Sequence, residues 1–132
     1  MRAAITLSIS VGLLLILALA GLGGCSGGPL PTGVFKGKRQ LDLRPGADPV
    51  VAKQLARVVL TIKEDGKATL EDGGLPLEGQ IARQGESLDF EILTVSGINI
   101  EKQPDTVPRH IKFGVRKDGG IDFGEILLIR QP

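Results

Sequence analysis

From Val58 onward, apolar and polar residues alternate with a period of two, the spacing that sends successive side chains to opposite faces of a strand. Val58, Leu60 and Ile62 alternate with Val59, Thr61 and Lys63; Glu64-Asp65-Gly66-Lys67 supplies an Asp-Gly turn; Ala68 and Leu70 then alternate with Thr69 and Glu71. That order predicts a β-hairpin. After a break at Asp72-Gly73-Gly74, Leu77, Gly79 and Ile81 share one face, and Gln84-Gly85-Glu86-Ser87 turns the chain again. Leu88, Phe90 and Ile92 oppose Asp89, Glu91 and Leu93; further on, Ile111, Phe113 and Val115 oppose His110, Lys112, Gly114 and Arg116. Asp118-Gly119-Gly120 is the last tight turn. The final run, Ile121 to Ile129, changes phase between Phe123 and Ile126, which predicts a bulge near Gly124-Glu125. The first strand is expected from Val34 to Leu43, with Phe35, Leu41 and Leu43 on one side.

Two stretches interrupt the alternation. Asp48-Pro49 reads as an N-cap followed by proline at the first helical position, with Val51, Leu55 and Val58 at helical spacing. A short helix near 48–56 is expected, plugging one end of the sheet or covering an edge. Asn99 to Arg109, with Pro104 and Pro108, reads as a long loop. The fold class is therefore all-β: a small antiparallel meander of about six strands, forming a barrel or a two-layer sheet, with one short helix.

The amino terminus follows a different rule. Arg2 is its one charge, and Ala3 to Leu22 is uncharged and densely apolar, ending in Leu22-Gly23-Gly24-Cys25. A basic start, an apolar middle and small residues at a cleavage point are the parts of a secretory signal. Leu22, Gly23, Gly24 and Cys25 resemble the lipobox of bacterial lipoproteins, over roughly the first fifth of the chain. The resemblance implies diacylglyceryl attachment to the Cys25 thiol and cleavage before Cys25. Ser26 after the cysteine implies, by the enterobacterial sorting pattern, transfer to the outer membrane. Two or three acyl chains anchor durably, because each buried methylene contributes about 0.8 kcal/mol. An uncleaved transmembrane helix is the alternative, since about 20 apolar residues span a bilayer.

The expected division is thus 1–24 signal peptide, 25–33 lipidated Cys25 with a short tether, and 34–132 a single β domain. The tether Ser26-Gly27-Gly28-Pro29-Leu30-Pro31-Thr32-Gly33 is too rich in Gly and Pro for helix or strand. Extended, its eight residues reach at most about 27 Å, which keeps the domain close to the membrane surface. Within the domain, Gly33-Val34-Phe35-Lys36-Gly37, the Leu60–Leu70 hairpin, Leu77-Glu78-Gly79-Gln80-Ile81 and Gly85-Glu86-Ser87-Leu88-Asp89-Phe90 are similar to the meander of small lipocalin-like lipoprotein domains. Gln80-Ile81 departs from that pattern, standing where an aromatic residue commonly packs.

Composition removes several functions. Lys plus Arg number 16 and Asp plus Glu 15, and with Arg2 set aside the charges after Cys25 cancel. A neutral body lacks the clustered positive charge that draws nucleic acid, and a sequence with four Phe and no Trp or Tyr lacks the platforms on which bases stack. No nucleic-acid partner is expected. One His and one Cys exclude an intrachain disulfide and make a zinc site implausible; no metal and no cofactor are expected.

No catalytic residue is assigned. His110 is the one imidazole, and its alternation with Ile111 and Phe113 puts it on the polar face. Ser87 and Ser96 lie outside any nucleophile elbow. Asp89, Glu91 and Glu125 could pair as carboxylates only if the fold brought them together. Lys36, Lys38 and Arg39 form a small basic cluster, read as a solvated edge or, more weakly, as a headgroup contact. The favoured reading is a non-enzymatic, lipid-anchored envelope protein. Its partners are membrane lipid, through acylated Cys25, and an envelope protein bound near the surface. The alternatives are a carrier holding a small apolar ligand among Leu60, Ile81, Phe90 and Phe113, where filling by side chains is the ordinary outcome, and, least favoured, a hydrolase.

Overall fold

Turn chemistry dictates most of the architecture. The computed structural model describes residues 28–132, and in it the chain forms β1 (Gly33–Lys38), α1 (Pro49–Ala56), β2 (Arg57–Ile62), β3 (Lys67–Asp72), β4 (Leu75–Gln84), β5 (Ser87–Val95), β6 (Ile98–Asn99), β7 (His110–Val115), β8 (Ile121–Phe123) and β9 (Ile126–Arg130). Each of β1 to β4 pairs antiparallel with the next strand; β5 pairs with β7, β7 with β8 and β8 with β9. The ring closes where β9 returns to β1 through Phe35 opposite Arg130 and Lys36 opposite Ile129. The result is a closed eight-stranded antiparallel barrel, with β6 as an additional short strand on the end of β5. The expected class, all-β with a barrel among its two forms, holds; the count of about six strands was too low.

One of the extra strands comes from a misread feature. Gly124-Glu125 is a two-residue hairpin turn joining Phe123 to Ile126, rather than a bulge within one strand. The first strand is also shorter than expected. Its partner β2 begins at Arg57, opposite Lys38, so the chain beyond Lys38 has no β2 residue to pair with. Leu41 and Leu43 therefore lie outside the sheet, and Leu43 is 49% exposed.

The barrel has two ends. At one, the tether rim, lie the start of β1, the β2–β3, β4–β5 and β7–β8 turns, and the end of β9. At the other lie the β1–β2 connection with α1, the β3–β4 and β8–β9 turns, and the connection from β5 to β7.

Alternation along the strands fills the interior. Phe35, Leu60, Ile62, Leu70, Ile81, Leu88, Phe90, Ile92, Phe113, Ile121 and Leu128 are buried in one apolar cluster. Burying each such side chain stabilises by about 1.5–3 kcal/mol relative to exposure. The turn-proximal Leu30 packs against the same cluster at the tether rim.

Two glycines allow strands to approach where a side chain could not fit. At Gly79 the register of β4 on β5 shifts, leaving Leu93 as the extra residue of a bulge, and a Cβ there would fall 1.8 Å from the Glu91 carbonyl oxygen. At Gly37 a Cβ would fall 2.6 Å from the Leu127 carbonyl, at the seam between β1 and β9.

The helix forms where expected, from its cap. The Asp48 carboxylate accepts a hydrogen bond from the Val50 N–H at 2.9 Å, and Pro49 opens the first turn. It ends because Arg57 turns extended and begins β2, which takes Val58 into the sheet rather than the helix. No residue of α1 is buried, so the helix does not plug the barrel; it lies beside the β3–β4 turn, with Gly73 against the Leu55 carbonyl.

Candidate functional site

Alternation in β2, β4, β5 and β7 turns Leu60, Ile81, Phe90 and Phe113 inward, and the structure brings the four together. Ile81 stands opposite Phe90 across β4 and β5, and Phe113 stands opposite Leu88 across β5 and β7. The Phe90 and Phe113 rings are 6.4 Å apart and tilted by 47°; Phe123, at the mouth of the opposite end, continues the row 5.1 Å from Phe113. Such tilted pairs add about 0.5–1.5 kcal/mol beyond area burial. Exposures of 0, 4, 0 and 2% for Leu60, Ile81, Phe90 and Phe113 mean that these side chains themselves occupy the interior. An apolar ligand would have to displace them.

His110 sits on the outer wall, as its alternation predicts. Its Nδ1 is 3.2 Å from Oδ2 and 3.3 Å from Oδ1 of Asp89, diagonal neighbours on β7 and β5. This is half of a nucleophile-activating relay. The register separates it from the other half: His110 is opposite Glu91, whereas Ser87 is opposite Gly114, four pairs further toward the rim. Ser96 lies in the β5–β6 turn, left-handed at φ 50°, with its N–H bonded to the Pro76 carbonyl at 2.9 Å. Glu125 belongs to the β8–β9 turn, away from Asp89 and Glu91 on β5. Among the described residues, no three His, Cys, Asp or Glu side chains converge as a metal site.

The basic cluster of the sequence is divided by the fold. Lys36 and Lys38 are exposed on β1, while Arg39 reaches across the opposite end to grip both carboxylate oxygens of Asp72, at 2.5 and 3.0 Å. The hydrogen bonds it donates to Asp72, opposed by desolvation and aided by the Asp72 charge, hold the guanidinium protonated more firmly than usual. Arg39 thus fastens the β1–β2 connection to the end of β3. At the rim, Asp118 accepts the Gly120 N–H at 2.9 Å and lies 3.4 Å from the Arg116 guanidinium. The backbone hydrogen bond, followed by the Arg116 charge, lowers the Asp118 carboxyl below its usual range despite desolvation.

Two surface features escaped the sequence reading. A groove of about 310 Å³ crosses the outer wall over β2 to β5, with Thr61, Thr69, Glu78 and Thr94 in one cross-strand row. The row exists only once register is known. The Thr94 hydroxyl is buried at the edge of this groove with no hydrogen-bond partner among the described residues, beside the Leu93 bulge. The second feature is apolar: Val50, Val51 and Leu55 of α1 are 73, 51 and 47% exposed, and Leu43, Leu75 and Ile98 are exposed at the same end. The spacing of the α1 residues was visible; that the helix would stand away from the barrel was not.

Leu22, Gly23, Gly24 and Cys25 lie outside the described residues. Among the described residues, no helix is long and apolar enough to cross a membrane. Comparison of the chain with protein-family models, with curated proteins and with solved structures finds no match.

Proposed function

We propose that this is a non-enzymatic, lipid-anchored bacterial envelope protein whose barrel acts as a binding or assembly module at the membrane surface. One observation carries the reading: the single cysteine of the sequence stands directly after an uncharged apolar run and Leu22-Gly23-Gly24. Acylation at Cys25 confines the barrel to the bilayer and raises its effective concentration toward membrane-bound partners without any added contact. Ser26 directs it, on the same resemblance, to the outer membrane. The exposed apolar residues of α1, with Leu43, Leu75 and Ile98, support the module reading, because apolar surface grouped in this way marks association sites on soluble domains. The test is intact-mass analysis of protein extracted from membranes, wild type against Cys25→Ala. A diacylglyceryl increment on wild type, missing from Cys25→Ala, is the expected result, and an unmodified wild-type thiol overturns the reading. Cross-linking in cells then identifies the partner of the membrane-bound form.

A further inference from the structure

We infer that the tether rim of the barrel rests on an anionic bilayer surface, with Lys63, Lys67, Lys117 and Arg130 directed at the lipid headgroups. The inference rests on the anchoring at Cys25 proposed above and adds which face of the domain meets the lipid. Three observations lead to it.

The first is the short slack of the tether. Arg83 Nη1 donates a hydrogen bond to the Pro29 carbonyl at 2.9 Å, and Leu30 packs on the core, so the chain is fastened to the barrel from Pro29 onward. Cys25 stands four residues before Pro29 in the sequence, and four extended steps reach at most about 14 Å. The opposite end of the barrel lies about 20 Å further along β1. An acyl chain in the bilayer therefore holds the rim near the headgroups and the α1 end away from them.

The second is charge. The rim turns and strand ends carry Lys63, Lys67, Arg83, Arg116, Lys117 and Arg130 against Glu64, Asp65, Glu86 and Asp118. Arg116 is occupied by Asp118 and Asp122 at 3.4 and 3.3 Å. Lys63, Lys67, Lys117 and Arg130 are exposed and in no ion pair among the described residues. Near an anionic leaflet each unpaired cation contributes about fivefold in binding.

The third is apolar surface beside those cations. Ile129 and Leu127 are 58 and 40% exposed on the wall leading to the rim, and they share a groove with Pro31 and Arg130. Apolar side chains next to basic ones suit the zone where headgroups meet acyl chains.

The experiment uses the full protein extracted from membranes and reconstituted in vesicles of phosphatidylglycerol and phosphatidylcholine that include a nitroxide-labelled lipid. A fluorophore is attached to Glu86→Cys on the rim or to Asp105→Cys at the opposite end. Quenching at position 86 and its absence at position 105 is the expected result. Vesicles of phosphatidylcholine alone, or the added pair Lys63→Glu and Lys117→Glu, should weaken the quenching at 86. Equal quenching at both positions, or stronger quenching at 105, overturns the orientation. No effect of either charge change overturns the role of the cations. Intact mass of the same sample reports the anchor separately. An unacylated protein quenched only at 86 supports the rim as a lipid contact while overturning the anchor, and an unacylated protein quenched at neither position overturns both.

Discussion

Replacing Gly79 by alanine should do more damage than its one added methyl group suggests. An alanine Cβ at this site would fall 1.8 Å from the Glu91 carbonyl oxygen, whereas real Cβ contacts essentially never fall below 3.0 Å. The obstacle is backbone, with Ile92 Cα also only 3.1 Å from the added Cβ, so no side chain can rotate to make room. β4 and β5 must part by more than an ångström at the bulge, which breaks the hydrogen bonds flanking Glu78–Thr94 and Gly79–Ile92. Overpacking costs about 1–3 kcal/mol, and each lost hydrogen bond adds about 1 kcal/mol. A total of about 3–5 kcal/mol corresponds to a fall in Tm of at least about 12 °C for a domain of this size. The control is Gly85→Ala, left-handed at φ 64° but with open space where the methyl group would go; it should cost about 1–2 kcal/mol. Because the sequence contains no Trp or Tyr, far-UV circular dichroism is the suitable probe, by thermal and urea melts. Two variants that melt at the same temperature would refute the reasoning, since Gly85→Ala carries only the left-handed backbone cost and Gly79→Ala the collision with the Glu91 carbonyl.

Two other outcomes test the core and the rim. Phe113→Ala should lose about 3–5 kcal/mol in urea unfolding, because the buried ring lies between Phe90 and Phe123; a loss below about 1 kcal/mol would mean that the aromatic row is loosely packed. Asp118, whose carboxyl titrates low in the folded state because Gly120 and Arg116 favour its charged form, contributes stability that is present above its unfolded titration range. That contribution fades as the pH falls through the lowered folded value. Carboxyl NMR should show Asp118 titrating below an ordinary aspartate, and Asp118→Asn should flatten the acid limb of the stability profile.

The parts of the fold that were legible in sequence are those encoded locally. Asp65-Gly66 between two alternating runs defines the β2–β3 hairpin, and the inward sets Leu60, Ile62 and Leu88, Phe90, Ile92 follow from period two alone. What failed depends on partners. A phase change at Gly124-Glu125 is produced equally by a bulge and by a two-residue turn, and only the pairing of Phe123 with Ile126 distinguishes them. The true bulge, at Gly79, was hidden because Gly79 keeps the phase of Leu77 and Ile81 while the extra residue enters on β5. Leu41 and Leu43 carry the pattern of a strand but have none beside them. Ile100 was missed in the expected loop; it is buried in the core because the Asn99 side chain caps a single helical turn there, accepting from the Glu101 N–H. The candidate site divides along the same line: the inward placement of Leu60, Ile81, Phe90 and Phe113 could be read from alternation, whereas the neighbours of His110 depend on register.

Ring closure has a consequence for how the molecule is made. Phe35 meets Arg130 and Lys36 meets Ile129, so the seam joins the first described strand to the last. During synthesis β1 arrives early and waits for β9, and until then the meander is an open sheet whose greasy concave side faces water. Contacts so distant along the chain form slowly. A helper that shields the unfinished sheet would spare it from clumping, and a chain interrupted before β9 should be a target for proteolysis.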